Sequence, residues 1–357
     1  MNSTSTLNNT DLAPMSDAHL FGTGAVARLE ARLREFYGMK HALTVANATL
    51  GLLAIGKSLG ISGSEFVTTP YTYGATLAGW LWLGNRPIFA DIDPHTLALD
   101  PEAARRAITP RTKALLAVDL FGVPADMAAL RRLADEYGIW YVADAAQSLG
   151  AYRDGRPASS MADALVVSFT VGKTIFAGEG GAILTNHDAL YEKLVWYTQH
   201  PERQRRELGI NLVNEFALNG RIHPLAVEMA NAGFDPALAL LLARQETCFQ
   251  IIAKLNRTKL VEPIRFDKQA IKPAFFRLSA AWKGKPQERA LARELRDVRL
   301  APSPVRLLYR QPAFVAQYGR GTVSACPQAE RQAKKRFCLL HQALPEEVQS
   351  FSDGTCH

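Results

Sequence analysis

Cysteine is scarce in this chain: four in 357 residues, at Cys248, Cys326, Cys338 and Cys356. None stands in a C-x-x-C pair or beside a pair of histidines. That argues against a metal site or a disulfide framework and fits a reducing compartment. Long apolar runs are missing too. A membrane span needs about 18 consecutive apolar residues, and "LALLLA" near Leu238 is far shorter. The N-terminus, "MNSTSTLNNTDLAPMSD", is polar and lacks the apolar stretch of a secretory signal. The expectation is therefore a cytoplasmic protein with no membrane partner. Blocks of one charge sign are absent as well. The net charge is +7, but the densest run, "ERQRRE" at Glu202–Glu207, carries both signs. It reads as a solvated face, so nucleic acid is not an expected partner; a basic rim that attracts a phosphorylated substrate is the other reading. Internal repeats are not evident.

What is present is an alternation of helical and strand patterns from Gly24 to about Asn186. "AVARLEARLREFYG" places Val26, Leu29, Leu33 and Phe36 on one helical face, with Gly38 to stop it. "HALTVA" reads as a short buried strand and "TLGLLAIGKSLG" as a helix. "EFVTTP", "PIFADI" and "KALLAVDLFG" read as strands, and "DMAALRRLADEYG" is the clearest amphipathic helix. "IWYVADAA", "DALVVSFT" and "GAILTN" complete the strands. Apolar strands separated by helices predict an α/β fold with a mainly parallel sheet covered on both faces. The ligand of such a sheet sits at the carboxyl ends of its strands. After about Ala243 prolines and basic residues increase and strands are harder to read. There "RALARELRDVRL" and "CPQAERQAKKRFCLLHQAL" read as helices. The expected organisation is a flexible tail over residues 1–20, a large ligand-binding domain over 21–243 and a smaller C-terminal α+β domain over 244–357.

Three segments end where a parallel sheet would put a ligand. "VADAAQSLGA" holds Asp144 and Gln147, "VVSFTVGKTIFAGEGG" holds Ser168 and Lys173, and "TVANATLGL" is a strand-to-helix turn with Asn47, Ala48 and Thr49. Singly each is weak: a lysine after a strand is usually a surface residue, and an Asp or Asn there usually caps a helix. Together they meet the needs of pyridoxal phosphate (PLP). Its aldehyde needs an amine, which Lys173 supplies. Its pyridine nitrogen needs a carboxylate to keep it protonated, which Asp144 supplies. Its phosphate needs backbone amides at a helix N-terminus and hydroxyls, which the Ala48–Thr49 turn and Ser168 can provide. Tyr73, in "TPYTYGAT", could stack on the ring; the plainer reading of Tyr73 is a core aromatic. No metal site is expected.

This constellation resembles the sugar aminotransferases of the DegT/StrS group, which are fold-type-I PLP enzymes. The resemblance begins near "FGTGAVARLEARLREFYGMKHALTVANAT" and runs through "PIFADIDPHTLALDPEAARRAITPRTKALLAVDLFGVPADM". Its most specific parts are "YVADAAQSLGA" and "SFTVGKTIFAGEGGAILTN", and it continues more weakly to "CPQAERQAKKRFCLL". It implies a seven-stranded-type sheet sandwiched by helices. It implies that Lys173 bonds to the cofactor and moves protons, that Asp144 holds the pyridine nitrogen and that Gln147 lies on the ring's hydroxyl side. Ser168, Ala48 and Thr49 would bind the phosphate and Tyr73 would stack. Asn219 matches a position that reaches the cofactor phosphate of a neighbouring subunit, with Arg221 two residues later, so a homodimer with a shared active site is implied. The implied activity is transfer of an amino group from glutamate or glutamine to a nucleotide-linked keto-sugar or a keto-cyclitol, in aminosugar, polysaccharide or antibiotic biosynthesis.

The chain departs from the family pattern in places. The phosphate turn usually reads Gly-Thr and here reads Ala48-Thr49; alanine keeps the amide donor if the turn needs no positive φ. Asn-aromatic-Arg is here Asn219-Gly220-Arg221. Asp119, in "VDLFG", stands where the family usually has His. The stretch Pro201–Phe216 and the C-terminal part are least typical, so the departures bear on the substrate more than on the cofactor. The alternatives are another PLP reaction (substitution, elimination or cyclisation) on an amino-acid-derived substrate, a dehydratase using pyridoxamine phosphate, and a non-catalytic relative. The dehydratases carry His where this chain has Lys173. A nicotinamide oxidoreductase is a further alternative, because "FGTGAV" and "GEGG" contain G-x-G; neither follows a strand and opens a helix with an acidic residue beyond it.

Overall fold

The computed structural model describes residues 17–295, 298–319 and 325–341. Most of the tail expected at residues 1–20, and Cys356, lie outside the described residues. Asp17–His19 form a 3-10 turn, and Thr23 donates its backbone N–H back to Ala18 O at 2.9 Å.

Seven strands form the large sheet: β1 (His41–Val45), β2 (Glu65–Thr68), β3 (Arg86–Phe89), β4 (Thr112–Val118), β5 (Trp140–Asp144), β6 (Ala164–Ser168) and β7 (Gly181–Thr185). Their spatial order is β1-β7-β6-β5-β4-β2-β3. β7 pairs antiparallel with both β1 and β6, and the remaining pairs are parallel. The expected mainly parallel sheet is therefore present.

Period-two alternation sends successive side chains to opposite faces. Leu116, Val142, Val166 and Ile183 join one core with helices α2 (Ala48–Ser58), α3 (Ala75–Trp82) and α6 (Asp188–Thr198). Their neighbours Leu115, Tyr141, Leu165 and Leu184 join the other, with α1 (Ala25–Tyr37), α4 (Pro101–Ala107) and α5 (Met127–Tyr137). The helices obey their sequence signals. In α1, Val26, Leu29 and Leu33 are buried, and Gly38 closes it at φ 62. Asp126 caps α5, which buries Met127, Leu130, Leu133 and Ala134; each fully buried Leu contributes about 1.5–3 kcal/mol. Gly79 lets α3 lie directly on α2, since a Cβ there would meet the Leu53 backbone at 2.8 Å.

A short helix α7 (Pro201–Leu208) precedes α8 (Pro224–Arg257), which is 34 residues long. The boundary expected at residue 243 falls inside α8, which continues through it. The start of α8 packs with α1, through Ala226, Val227 and Phe234, and its end contributes Cys248, Ile251, Ile252 and Leu255 to the other core. One stretch of α8 is apolar and long enough to cross a bilayer by length and composition, although no consecutive apolar run in it is long. Its contacts tie it into the fold.

Beyond α8 lies a four-stranded antiparallel sheet of β8 (Val261–Pro263), β9 (Leu278–Trp282), β10 (Val298–Pro302) and β11 (Arg336–His341), in the order β8-β9-β11-β10. Helices α9 (Glu288–Glu294), α10 (Pro312–Tyr318) and α11 (Pro327–Lys335) accompany it. Here two sequence expectations need correction. The helix read through "RALARELRDVRL" stops at Glu294, and Val298–Pro302 is strand. The helix read through "CPQAERQAKKRFCLLHQAL" stops at Lys335, and Arg336–His341 is strand; residues 342–344 lie outside the described residues. The cause is cross-strand packing: Leu339 pairs with Leu278 and Phe337 with Ala280, and the Phe337 ring stacks on Trp282 at 4.6 Å. Tertiary contact outweighs local helix propensity.

Candidate active site

The carboxyl ends of β1, β2, β5 and β6 share one edge of the large sheet, and the predicted residues gather there. Asp144 is the last residue of β5 and Ser168 the last of β6. Asp144 is buried. Its Oδ2 accepts from Thr76 Oγ1 at 2.7 Å and its Oδ1 from Ala146 N at 3.1 Å. Thr76 lies in the first turn of α3, so the positive end of that helix also faces the carboxylate. Each carboxylate oxygen keeps a lone pair for a further donor.

Lys173 rides on the loop between β6 and β7. That loop is held at its feet: Phe169 N donates to Gly180 O at 2.9 Å and Ala177 N to Phe169 O at 2.8 Å. The Lys173 Nζ sits 4.4 Å from the centre of the Phe276 ring. Burial pushes its ammonium down to about 8; the Asp144 carboxylate opposes that shift and the Arg277 guanidinium adds to it. A lysine with a pKa near 8 has a substantial neutral fraction at physiological pH, as a nucleophilic amine requires.

Ala48 and Thr49 open α2, and Asn47 caps it by accepting from Leu50 N at 2.8 Å. The amides of Ala48 and Thr49 have no acceptor within the helix, so they can bind an anion. Ala48 has no left-handed backbone, so alanine in place of glycine leaves the turn intact. Asn47 bridges to Gly180, which brings this turn against the end of the lysine loop. The neighbouring Gly181 makes that approach possible: a Cβ there would meet Val167 O at 2.6 Å and Ala48 N at 2.9 Å. The Ser168 hydroxyl lies 3.2 Å from that of Thr170.

Tyr73 is 68% exposed, so it is not the core aromatic of the plainer reading. It precedes α3, and its carbonyl accepts from Thr76 N at 3.1 Å. Gln147 accepts from Phe121 N at 2.7 Å through Oε1, which leaves its amide NH2 available. Asn219 and Arg221 are on the same edge, since Ala46 N donates to Gly220 O at 2.7 Å. Asn219 has a left-handed φ of 51, and its side-chain oxygen accepts from the Arg221 guanidinium. Gly220 fits where Leu50 of α2 approaches; a Cβ would lie 2.5 Å from Leu50 Cδ2.

Sequence reasoning missed four participants. Thr76 closes the "TPYTYGAT" segment and has no role that its sequence announces. Asp119 was noted only as a departure, yet it is buried and accepts from Ala125 N at 2.8 Å and from the Ser148 and Ser159 hydroxyls at 2.7 Å each. Burial pushes its carboxyl up, and these three donors act the other way. Phe276 and Arg277 reach the site from the segment before β9. Nothing in "AFFRLS" announces that; only the tertiary fold brings it here.

The profile of the DegT/DnrJ/EryC1/StrS aminotransferase family matches residues 11–350. The chain is 40% identical over 191 residues to the UDP-2-acetamido-2-deoxy-3-oxo-D-glucuronate aminotransferase of Pseudomonas aeruginosa, covering 52% of this chain and 53% of that protein. It is 35% identical over 247 residues to the GDP-perosamine synthase of Vibrio cholerae, covering 69% and 65%. The chain thus spans about half to two thirds of the length of these curated relatives. Among solved structures, an aminotransferase from Psychrobacter cryohalolentis superposes with a TM-score of 0.80 at 25% identity, over 92% of this chain and 90% of that one.

Proposed function

This chain belongs to the DegT/DnrJ/EryC1/StrS aminotransferase family, and from that premise we propose that it is a PLP-dependent aminotransferase that moves an amino group from glutamate or glutamine to a nucleotide-linked keto-sugar. The observation that carries the reading is the pairing of a depressed lysine amine with a buried, hydrogen-bonded carboxylate at one edge of the sheet. The names of the sugar-nucleotide relatives supply the acceptor class.

The residues fit the cofactor in three respects. Lys173 provides an amine whose charged form is disfavoured by burial. Asp144 has spare lone pairs beyond its bonds to Thr76 and Ala146. The first turn of α2 offers open amides beside a glycine whose missing side chain leaves the turn accessible to β7. When bound, PLP supplies an electron-accepting ring that stabilises negative charge on the carbon beside the transferred nitrogen.

The chain's own groups do the rest. Asp144 holds a proton on the pyridine nitrogen, and Thr76 holds Asp144. The amides of Ala48 and Thr49, with Ser168, bind the phosphate. Tyr73 would stack on the ring, and Gln147 would lie near its hydroxyl. Lys173 would hold the cofactor through its amine, and that amine, once free, would serve as the base for the proton on the donor's α-carbon. On the acceptor the same amine moves the proton the other way. Asn219, exposed, and Arg221, half-buried, both on this edge, would serve the site of a second subunit in a homodimer. The proposed setting is a soluble enzyme of aminosugar, polysaccharide or antibiotic biosynthesis.

The test is direct. The purified, PLP-supplemented protein is treated with borohydride and digested, and the modified peptide is sequenced by mass spectrometry. Label on Lys173, together with 2-oxoglutarate formed from glutamate, is the expected result. Label elsewhere, or no keto acid, would overturn the reading.

A further inference from the structure

Arg277 stands immediately before β9, half-buried, at the same edge as Lys173. Its guanidinium lies 5.5 Å from the centre of the Phe276 ring, and Lys173 Nζ lies 4.4 Å from that same centre. Two cations thus share one aromatic ring. Arg277 has no carboxylate partner among the described residues, and its Nε is buried without any hydrogen-bond partner. Three other arginines of similar or deeper burial are neutralised: Arg203 by Glu30 and Glu207, Arg131 by Asp163, Arg153 by Asp126.

The position of Arg277 is built rather than accidental. Ala274 N donates to Gly122 O at 2.8 Å, and Phe121 N is in turn held by Gln147. A side chain on Gly122 would strike Gln147 O at 2.7 Å and the amides of Phe275 and Phe276 at 3.0 Å. Phe121, Gly122 and Phe275 all take left-handed φ, at 58, 81 and 47. Backbone strain of this kind persists where the surrounding structure over-determines it, and it clusters at ligand sites. The segment that delivers Arg277 is therefore clamped to the loop that carries Gln147.

A half-buried guanidinium with an unpartnered Nε and no carboxylate beside it is completed by an anion. The cofactor phosphate has its own donors at α2, so a different anion is needed here. A planar guanidinium fork matches a carboxylate with two parallel hydrogen bonds. We propose that Arg277 binds a carboxylate of the substrate whose reacting carbon lies at Lys173, and so selects for acidic substrates. This rests on the aminotransferase reading above and deepens it. The carboxylate comes from the amino donor, on the carbon that loses its proton, or from an acidic keto-sugar; the chemistry recognised is the same.

The experiment uses the PLP-loaded enzyme, Arg277→Gln and Arg277→Lys. Borohydride labelling of Lys173 and the thermal midpoint are measured first in all three. Glutamate is then mixed with each in the absence of acceptor, and the change in cofactor absorbance gives the affinity and the limiting rate separately. In parallel, calorimetry measures binding of UDP-glucuronate and of UDP-glucose, which differ by one carboxylate. If the donor supplies the carboxylate, Arg277→Gln weakens glutamate binding about tenfold to a hundredfold with a nearly unchanged limiting rate, and Arg277→Lys falls between. If the sugar supplies it, the variant loses the preference for UDP-glucuronate over UDP-glucose and keeps its glutamate affinity. A labelled, folded Arg277→Gln enzyme that keeps both affinities would overturn the inference and leave the aminotransferase reading standing. A folded wild-type protein with no label on Lys173 would overturn both.

Discussion

The hydroxyl of Thr76 donates to Asp144 Oδ2 at 2.7 Å, joining the first turn of α3 to the last residue of β5. The Thr72 hydroxyl lies 3.0 Å behind Thr76, so the carboxylate ends a short chain of buried hydroxyls. This contact fixes the orientation of the carboxylate that would hold a pyridine nitrogen. Thr76→Val keeps the shape and removes the donor. A hydrogen bond to a charged group is worth about 1.5–3 kcal/mol. PLP affinity, read by absorbance titration, is expected to fall roughly tenfold to a hundredfold; unchanged affinity would show that the contact does not orient Asp144.

The Lys173 amine, pushed down to about 8, predicts the pH dependence of cofactor capture. Only the neutral amine attacks an aldehyde. Capture by the cofactor-free protein should therefore rise with pH through a midpoint near 8, well below that of an ordinary lysine. The sign for stability follows from the same shift. Burial disfavours the charged form, so the folded chain binds fewer protons than the unfolded chain between about pH 8 and an ordinary lysine's pKa. Lys173 thus opposes folding below about pH 8, and that effect is relieved as pH rises above it. Stopped-flow absorbance across pH 6–10 (roughly the range that brackets the shift) reads the capture rate; a rate still climbing steeply above pH 9 (about one unit past the midpoint) would contradict the depressed value.

Gly181→Ala tests the α2 turn. The added Cβ would meet Val167 O at 2.6 Å and Ala48 N at 2.9 Å, both backbone atoms that cannot step aside cheaply. The start of β7 must then move away from the turn. Weaker binding of PLP, with less change for pyridoxal lacking the phosphate, is the expected outcome. Equal losses for both would place the damage elsewhere.

A fourth expectation concerns stability. Arg203 is almost fully buried and pairs with Glu30 at 2.8 Å and with Glu207 at 3.0 Å, tying α7 to α1. Glu30 also accepts from Thr44 N at 2.8 Å. Removing the charge of Glu30 takes away the partner that meets both terminal nitrogens and leaves the buried guanidinium with Glu207 alone. Glu30→Gln is expected to destabilise the fold by about 3–5 kcal/mol, measured by urea unfolding, with little dependence on salt. A loss below about 1 kcal/mol would mean that the pair behaves like an exposed one.

Local patterns carried the large sheet. Apolar runs such as "KALLAVDLFG" and amphipathic stretches such as "DMAALRRLADEYG" are decided by neighbours a few residues away, and the structure places strand and helix there. The strand Arg336–His341 was not legible, because its β character depends on pairing with Leu278–Trp282, some sixty residues earlier in the chain. The same division holds at the candidate site. Asp144, Ser168 and Lys173 follow apolar strands in short, recognisable words. Thr76 reaches Asp144 across 68 residues of chain and Arg277 meets Lys173 only after α8 has carried the chain past the sheet, so neither contact leaves a local trace.

The reversed direction of β7 has a mechanical consequence for Lys173. Because β6 and β7 are antiparallel neighbours, the lysine sits at the tip of a hairpin whose two arms are bonded to each other. That tip is tied further to the segment after β5, where Thr174 donates its hydroxyl to Leu149 O at 2.8 Å, whereas the turns at Ala48 and Tyr73 lead into helices. A helix that rocks during substrate entry would move around the amine while the amine itself stayed put.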